Sequence, residues 1–323
     1  MALFKRTALP DGPESEDKEP ATLPATAPET TDGVRDFWQH WDYLLSMVPA
    51  LAEFGVPILD AVGLTLNESI TTEKDLGAEI HAGDVVVKQG TRVVPRMLAL
   101  LTGMGIRKVI ARPSPRVLVM ALSEEAIPAS YFAAAQAQEV GAQAHRMEYI
   151  FDSPAPLISA ITEQLVRADL VVTVGCLDEA GFDLREIASE IGPNDFSPVA
   201  ISPGRTHGFI LAEEKVPLLA LPAQTYATFV LTKLILEPMI DKLMGASTDP
   251  ELFSAYLAQP LRVQEHTLTC VPAVVKDNRM KISGRPSGLD GLLSIYQANA
   301  MAILASDDGL VDVDTETFYL PLH

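Results

Sequence analysis

Short aliphatic and β-branched runs alternate with stretches of helical spacing from residue 96 to residue 246, and few architectures accommodate such a series. Residues 108–111, 116–122, 145–151, 170–174, 199–202 and 216–221 read as strands, and residues 131–140, 156–167, 184–191 and 223–244 read as helices. Near-continuous apolar strands, of which Leu170-Val171-Val172-Thr173-Val174 is the clearest, suit a parallel sheet covered on both faces. The pattern therefore predicts an α/β fold with a parallel sheet sandwiched by helices. In such sheets ligands bind beyond the carboxyl ends of the strands, which directs attention to the loops after Leu122, Val174, Ser202 and Leu221.

The flanks read differently. Asp11, Glu14, Glu16, Asp17, Glu19, Glu29 and Asp32 stand against Lys18 alone between residues 11 and 33, among four prolines and almost no large apolar side chains. Such a segment buries too little to offset its ordering entropy, so residues 1–34 are expected to be a disordered acidic, Pro-rich tail, either a plain solvated leader or a protein-binding tail. Residues 35–95 read as an N-terminal helical and linker segment. Phe37, Trp38, Trp41, Leu44, Leu45 and Val48 have helical spacing and suit core or a dimer surface. A helix-like piece at 60–69 and a strand at 85–88 follow. The α/β domain is expected over 96–248, and residues 249–323 form a small, mostly β domain with strands at 267–275, 279–283 and 315–320 and a helix at 291–300.

With 24 Lys+Arg against 43 Asp+Glu the formal charge is -19, which repels phosphate backbones and argues against nucleic-acid binding, since the sequence displays no basic run. Two cysteines are too few for a disulfide framework and suit a reducing, cytoplasmic setting. The opening MALFKRTALP lacks an apolar h-region, and no apolar stretch approaches the roughly 18 residues of a membrane span, so neither secretion nor membrane insertion is expected.

Three strand-end loops carry candidate chemistry. After residue 122 stand Ser123, Glu124 and Glu125, whose paired carboxylates suit Mg²⁺ or acid–base work, or else form a solvated first helical turn. After Val174 the chain runs Gly175-Cys176-Leu177-Asp178-Glu179-Ala180-Gly181-Phe182-Asp183. Asp183 suits a helix cap as well as a metal or ligand contact, and Cys176 suits a small buried residue better than a nucleophile. Pro203-Gly204-Arg205 follows the next strand and offers an anion contact or a plain turn.

Taken in order, these loops resemble those of the molybdopterin molybdenumtransferase family, which includes the E domain of gephyrin. The family's Thr-Gly-Asp-Glu-Leu matches Leu122, Ser123, Glu124, Glu125 and Ala126, and its Gly-Gly-x-Ser-x-Gly-x-x-Asp loop matches Gly175 to Asp183. Its Pro-Gly-Lys-Pro becomes Pro203, Gly204, Arg205 and Thr206, and its Gly-Leu-Pro-Gly-Asn-Pro becomes 220–225. Ala82-Gly83-Asp84, Gly90-Thr91, Pro286-Ser287-Gly288 and Ala298-Asn299-Ala300 extend the resemblance from about residue 36 to the end.

Two departures shape the functional expectation. The family's inserted β subdomain, which supplies an active-site Asp, is missing near 76–77, and glycines are replaced at Cys176, Ala180, Ala220 and Ala223. The resemblance with these losses implies a gephyrin-like, catalytically degenerate homodimer acting as a protein-binding scaffold. Glu124 and Asp183 are then vestigial catalytic positions, Gly175, Asp178, Pro203, Gly204 and Arg205 vestigial binding positions, and no cofactor is required. The alternative it implies is a residual transferase inserting molybdate into adenylylated molybdopterin, with Mg²⁺ on Glu124, Glu125 and Asp183. A second alternative is a pterin- or nucleotide-binding module without turnover.

Overall fold

The computed structural model describes residues 22–77, 79–150, 155–179, 181–213, 215–284 and 288–322. The expectation for residues 1–21, and those resting on Ala180, Pro286 and Ser287, lie outside them.

The central sheet has the strand order Gln143–Glu148, Arg116–Ala121, Leu170–Val174, Val216–Leu221, Gly208–Ala212, Asn194–Asp195. The first four strands are parallel. The last two are antiparallel additions, so the sheet is mixed where an all-parallel one was expected. Gly208–Ala212 is not legible as a strand in the sequence because it is a fully buried hairpin partner of Val216–Leu221, close to it in sequence and as apolar as a core helix segment. Every residue of Leu170–Val174 is buried, as a sheet covered on both faces requires. Alternate side chains of the neighbouring strand divide between two cores: Val117, Val119 and Ala121 on one face, Leu118 and Met120 on the other.

The first face is closed by helix Ile127–Glu139, by the helical run from Thr225 to Met244, and by helix Phe37–Ser46. The long run contains a π-helical stretch, Thr232–Leu236. Trp41 is buried there and donates Nε1–H to the Leu234 carbonyl at 2.8 Å, so the aromatic stripe is core at Trp41, while Trp38 stays 37% exposed. The second face carries Ala155–Leu165 and two short turns, Leu184–Glu186 and Ala188–Ile191, which replace the single helix expected over 184–191.

Several expected boundaries move. The acidic tail does not run to residue 34 as an unstructured segment, because Leu23 and Ala25 pack against the core and Thr31 pairs with Val34. The strand Lys108–Arg112 and helix Pro95–Gly103 leave the α/β unit. Lys108–Arg112 pairs antiparallel with Phe54–Pro57 and Thr65–Leu66 over a separate small core. Its alternating burial is that of a one-faced antiparallel strand. The helix expected at 60–69 is only the turn Ile58–Ala61, because Gly63 takes φ +87 and the chain then enters Thr65–Leu66. Where the resemblance implies a missing subdomain, Ile70–Thr71 pairs directly with Val85–Val87, and Leu76 bridges Ile80.

At the C-terminal end, strands Leu268–Lys276, Arg279–Ile282, Phe253–Leu257, Glu316–Pro321 and Ala300–Leu304 pair in that order. Ala300–Leu304 returns to Leu268–Lys276, closing a small barrel around its own core. Ile201–Ser202 joins that barrel beside Leu268–Thr269 and so tethers it to the α/β unit. No helix among the described residues is long and apolar enough to cross a membrane.

Candidate functional site

The carboxyl edge of the parallel strands is laced together by backbone. Leu122 N–H donates to Val174 O at 2.9 Å, Gly175 N–H to Leu221 O at 2.9 Å, and Tyr149 N–H to Ala121 O at 2.8 Å. The loops leaving these strands therefore start from one rigid line. Between them lies a cleft of about 570 Å³ that brings Ser123, Glu124 and Glu125 together with Cys176 and Glu179, walled by Ile150 and Phe182. Two loops separated by some fifty positions in the sequence thus meet where the alternation pattern directs attention.

Gly175 takes φ +100, and a β-carbon there would approach Ser123 Oγ to 2.9 Å and Ala126 Cβ to 3.0 Å, so glycine is required. Cys176 and Asp178 hold φ of 57° and 60° although neither is glycine. The loop keeps a left-handed path at a cost of roughly 1–2 kcal/mol per residue. The Cys176 thiol is buried, with Sγ 3.7 Å from the Leu122 carbonyl. Burial, aided by the Glu179, Asp183 and Glu125 carboxylates, pushes its pKa up to about 11, which favours the neutral thiol over the thiolate.

Glu179 accepts a hydrogen bond from the Ser123 hydroxyl at 2.9 Å through Oε2, while its Oε1 is buried without a hydrogen-bond partner among the described residues. Asp183 takes the capping role. It accepts from Arg185 N–H at 3.0 Å, from Asp178 N–H at 3.3 Å and from the Arg185 guanidinium at 2.8 Å. The Arg185 hydrogen bond holds its carboxyl below the usual range. Arg185 also pairs with Asp178. With its lone pairs so engaged, Asp183 does not join Glu124 and Glu125 at the cleft. Among the described residues no group of three or more His, Cys, Asp or Glu could hold a metal ion, so the trio expected to bind Mg²⁺ is not assembled.

Pro203 and Gly204 belong to a neighbouring place. Pro203 lines a recess of about 250 Å³ with Gln224, Tyr226, Thr269 and Cys270, between the sheet edge and the barrel. Gly204 takes φ +105, and a β-carbon there would meet the Leu231 side chain at 2.9 Å. Arg205 is exposed. Behind this loop lies a pair the sequence does not flag: His207 Nδ1 sits 2.8 Å from the Gly204 carbonyl, and its Nε2 faces His40 Nε2 at 3.0 Å. His40 and His207 stand 167 positions apart, and nothing in either neighbourhood signals the contact. The same is true of Arg35 and Asp195, ion-paired at 2.6 Å. The fold also gathers Lys88, Arg92 and Arg96 around one cleft, a basic grouping hidden in the sequence because neutral residues separate the three.

No family model matches the chain. It is similar to Molybdopterin molybdenumtransferase 1 of Mycobacterium tuberculosis (strain CDC 1551 / Oshkosh), 29% identical over 184 residues, covering 52% of this chain and 43% of the relative. It is also similar to the molybdopterin molybdenumtransferase of Staphylococcus epidermidis (strain ATCC 35984), 27% identical over 247 residues, covering 71% and 59%. The chain thus spans about half the length of the curated relatives it matches. Among solved structures, a molybdenum cofactor biosynthesis protein from Pyrococcus furiosus superposes with a TM-score of 0.70 at 22% identity, covering 90% of this chain and 100% of that one. The molybdopterin biosynthesis moeA protein of Pyrococcus horikoshii superposes with a TM-score of 0.72 at 14% identity, covering 90% and 100%. These two likenesses show the fold. The similarity to molybdopterin molybdenumtransferases that the loops imply is therefore present over stretches of 184 to 247 residues of the sequence.

The expectation of a gephyrin-like, catalytically degenerate scaffold is overturned, because the curated relatives are named as transferases and none of these names points to a scaffold. Degeneracy rested on the missing β subdomain and on the loss of loop glycines. Cys176 keeps the left-handed path a glycine would take, so its replacement alone does not signal a collapsed loop.

Proposed function

We propose that this chain is a molybdopterin molybdenumtransferase of molybdenum cofactor synthesis, with the strand-end cleft as its substrate site. The observation that carries the reading is the meeting of the loops 122–126 and 175–183 in one cleft, two of the loops on which the resemblance to the transferases rests. Within this reading Ile150 and Phe182 flank the pterin ring, and Glu124 and Glu125, exposed at the mouth, are the candidate acid and base for release of an adenylate. Gly175 keeps the backbone open to a ligand, Asp178 shapes the same loop through Arg185, and Pro203 borders a second recess, with Gly204 and Arg205 following it in the same loop. Molybdate is cargo in this scheme. The residues present do not make a metal site of their own, and no step is assigned to Mg²⁺. The homodimer implied by the resemblance belongs to the same proposal and is checked by light scattering.

Complementation of a bacterial strain lacking its molybdopterin molybdenumtransferase, read as recovered molybdenum-enzyme activity, tests the proposal. Recovery that is lost in Glu124→Gln supports it. Absence of recovery with soluble, folded protein in the cell sinks it, and pterin binding without recovery would instead favour a module without turnover.

A further inference from the structure

Lys88 follows the strand Val85–Val87, Arg92 lies four residues on, and Arg96 sits in the first turn of helix Pro95–Gly103. Together with Thr91, Val94 and Met97 they line a cleft of about 470 Å³ that no carboxylate enters. In a chain of net charge -19, a cleft whose described lining holds three cations and no acid is a local concentration of positive charge. Lys88, Arg92 and Arg96 are all exposed, and no ion pair among the described residues involves any of them.

The backbone beneath these side chains is fixed. Gly90 N–H donates to Leu66 O at 2.8 Å, Leu66 N–H to Thr91 O at 3.0 Å, Val93 N–H to Leu64 O at 2.8 Å, and Gln89 N–H to Ser69 Oγ at 3.0 Å. Gly90 takes φ +82 and packs so closely on the Gly245 carbonyl that a β-carbon would lie 3.2 Å from it. Arg92 is anchored as well. Its guanidinium donates to the Glu139 carbonyl at 3.4 Å, lies against Gly141, and also acts on the Asp241 carboxyl. Lys88 and Arg96 are then left to act outward from a rigid backbone frame. A planar guanidinium fork beside a compact ammonium suits tetrahedral oxygens, and the flanking Val94 and Met97 lower the local dielectric.

We propose that the cleft lined by Lys88, Arg92 and Arg96 binds a small oxyanion, free or carried as a phosphate ester. This site is separate from the strand-end cleft and stands whether or not the transferase reading holds.

Titration calorimetry of the full chain at low ionic strength, with inorganic phosphate, sulfate, molybdate and a phosphate monoester as probes, tests it. At least one probe binds with a Kd below about 1 mM, and binding weakens as salt is added. The double variant Lys88→Ala/Arg96→Ala loses about tenfold or more in affinity, the scale of a charged hydrogen bond, while Lys215→Ala, exposed and outside the cleft, leaves it unchanged. Preference for the inorganic ions or for the ester identifies the source of the anion. No binding by about 10 mM of any probe overturns the site. So does undiminished binding in a double variant whose melting curve matches wild type, and so does an equal loss in Lys215→Ala.

Discussion

The Nε2 atoms of His40 and His207 lie 3.0 Å apart in the interior, and their contact ties helix Phe37–Ser46 to the loop carrying Gly204. A carbonyl can only accept, so the 2.8 Å approach of His207 Nδ1 to Gly204 O places a proton on Nδ1 and leaves Nε2 as the acceptor. His40 then donates from its own Nε2, and its Nδ1 is left buried without a partner among the described residues. Both rings are neutral. Burial brings His207 down to about 4, and burial, His207 and Arg35 bring His40 down to about 2, with Asp195 opposing.

The sign of the resulting pH dependence is fixed. An unfolded histidine binds protons below about 6.5 while these two stay neutral, so stability is full above that value and falls as pH drops toward 4. The His207 share reaches roughly 3 kcal/mol by pH 4. Denaturant unfolding at pH 7.5, 5.5 and 4.5 is expected to show this loss, and a His207→Gln variant a shallower one. Equal slopes in both proteins would refute it.

Asp241 works in the opposite direction. Burial, with the Glu237 carboxylate, raises it to about 7 against the pull of Arg92, so the folded chain holds a proton that the unfolded chain releases near 4. Its contribution is present below about pH 4 and is lost as pH rises through 7. Asp241→Asn is expected to raise the melting temperature at pH 8 and to leave it nearly unchanged at pH 4. The gain is about 1.4 kcal/mol for every tenfold by which folding tightens the carboxyl's hold on its proton. A variant that melts with wild type at both pH values would show that Asp241 is not held protonated.

Trp41 holds the carbonyl of Leu234 inside the π-helical stretch Thr232–Leu236, with the donor buried. Trp41→Phe keeps most of the apolar contact and removes the indole N–H, leaving a buried carbonyl short of a donor. A loss of about 1–3 kcal/mol by urea unfolding is expected. A neutral result would mean that the bulge does not depend on this bond.

Cys176 and Cys270 are both buried, and burial raises both thiols, Cys176 to about 11. Native protein at pH 7.5 is therefore expected to resist iodoacetamide over hours, while protein in denaturant labels at both positions within minutes. Rapid native labelling at Cys176 would show that the loop opens.

Much of the α/β unit is legible without coordinates because strands buried on both faces leave an unbroken apolar signature, as 170–174 and 216–221 do. Lys108–Arg112 is legible as a strand but not as a member of another sheet, since its alternating burial is set by the partners Phe54–Pro57 and Thr65–Leu66. In the site, the loops after Ala121 and Val174 are locatable from strand ends alone. The roles of Asp183 and Glu179 are not, because Arg185 takes up the first and Ser123 orients the second.

By itself the sequence determined the alternation of elements, the edge at which ligands are expected and the resemblance to the transferases, all of which rest on local periodicity and short motifs. Only the tertiary structure decided that the hairpin Gly208–Ala212 makes the sheet mixed, that Asp183 caps instead of joining Glu124 and Glu125, and that His40 meets His207. The same holds for the gathering of Lys88, Arg92 and Arg96 in an acidic chain. Periodicity reports which face of an element is apolar, whereas a side chain's partner depends on distances between residues far apart in sequence, which packing alone fixes.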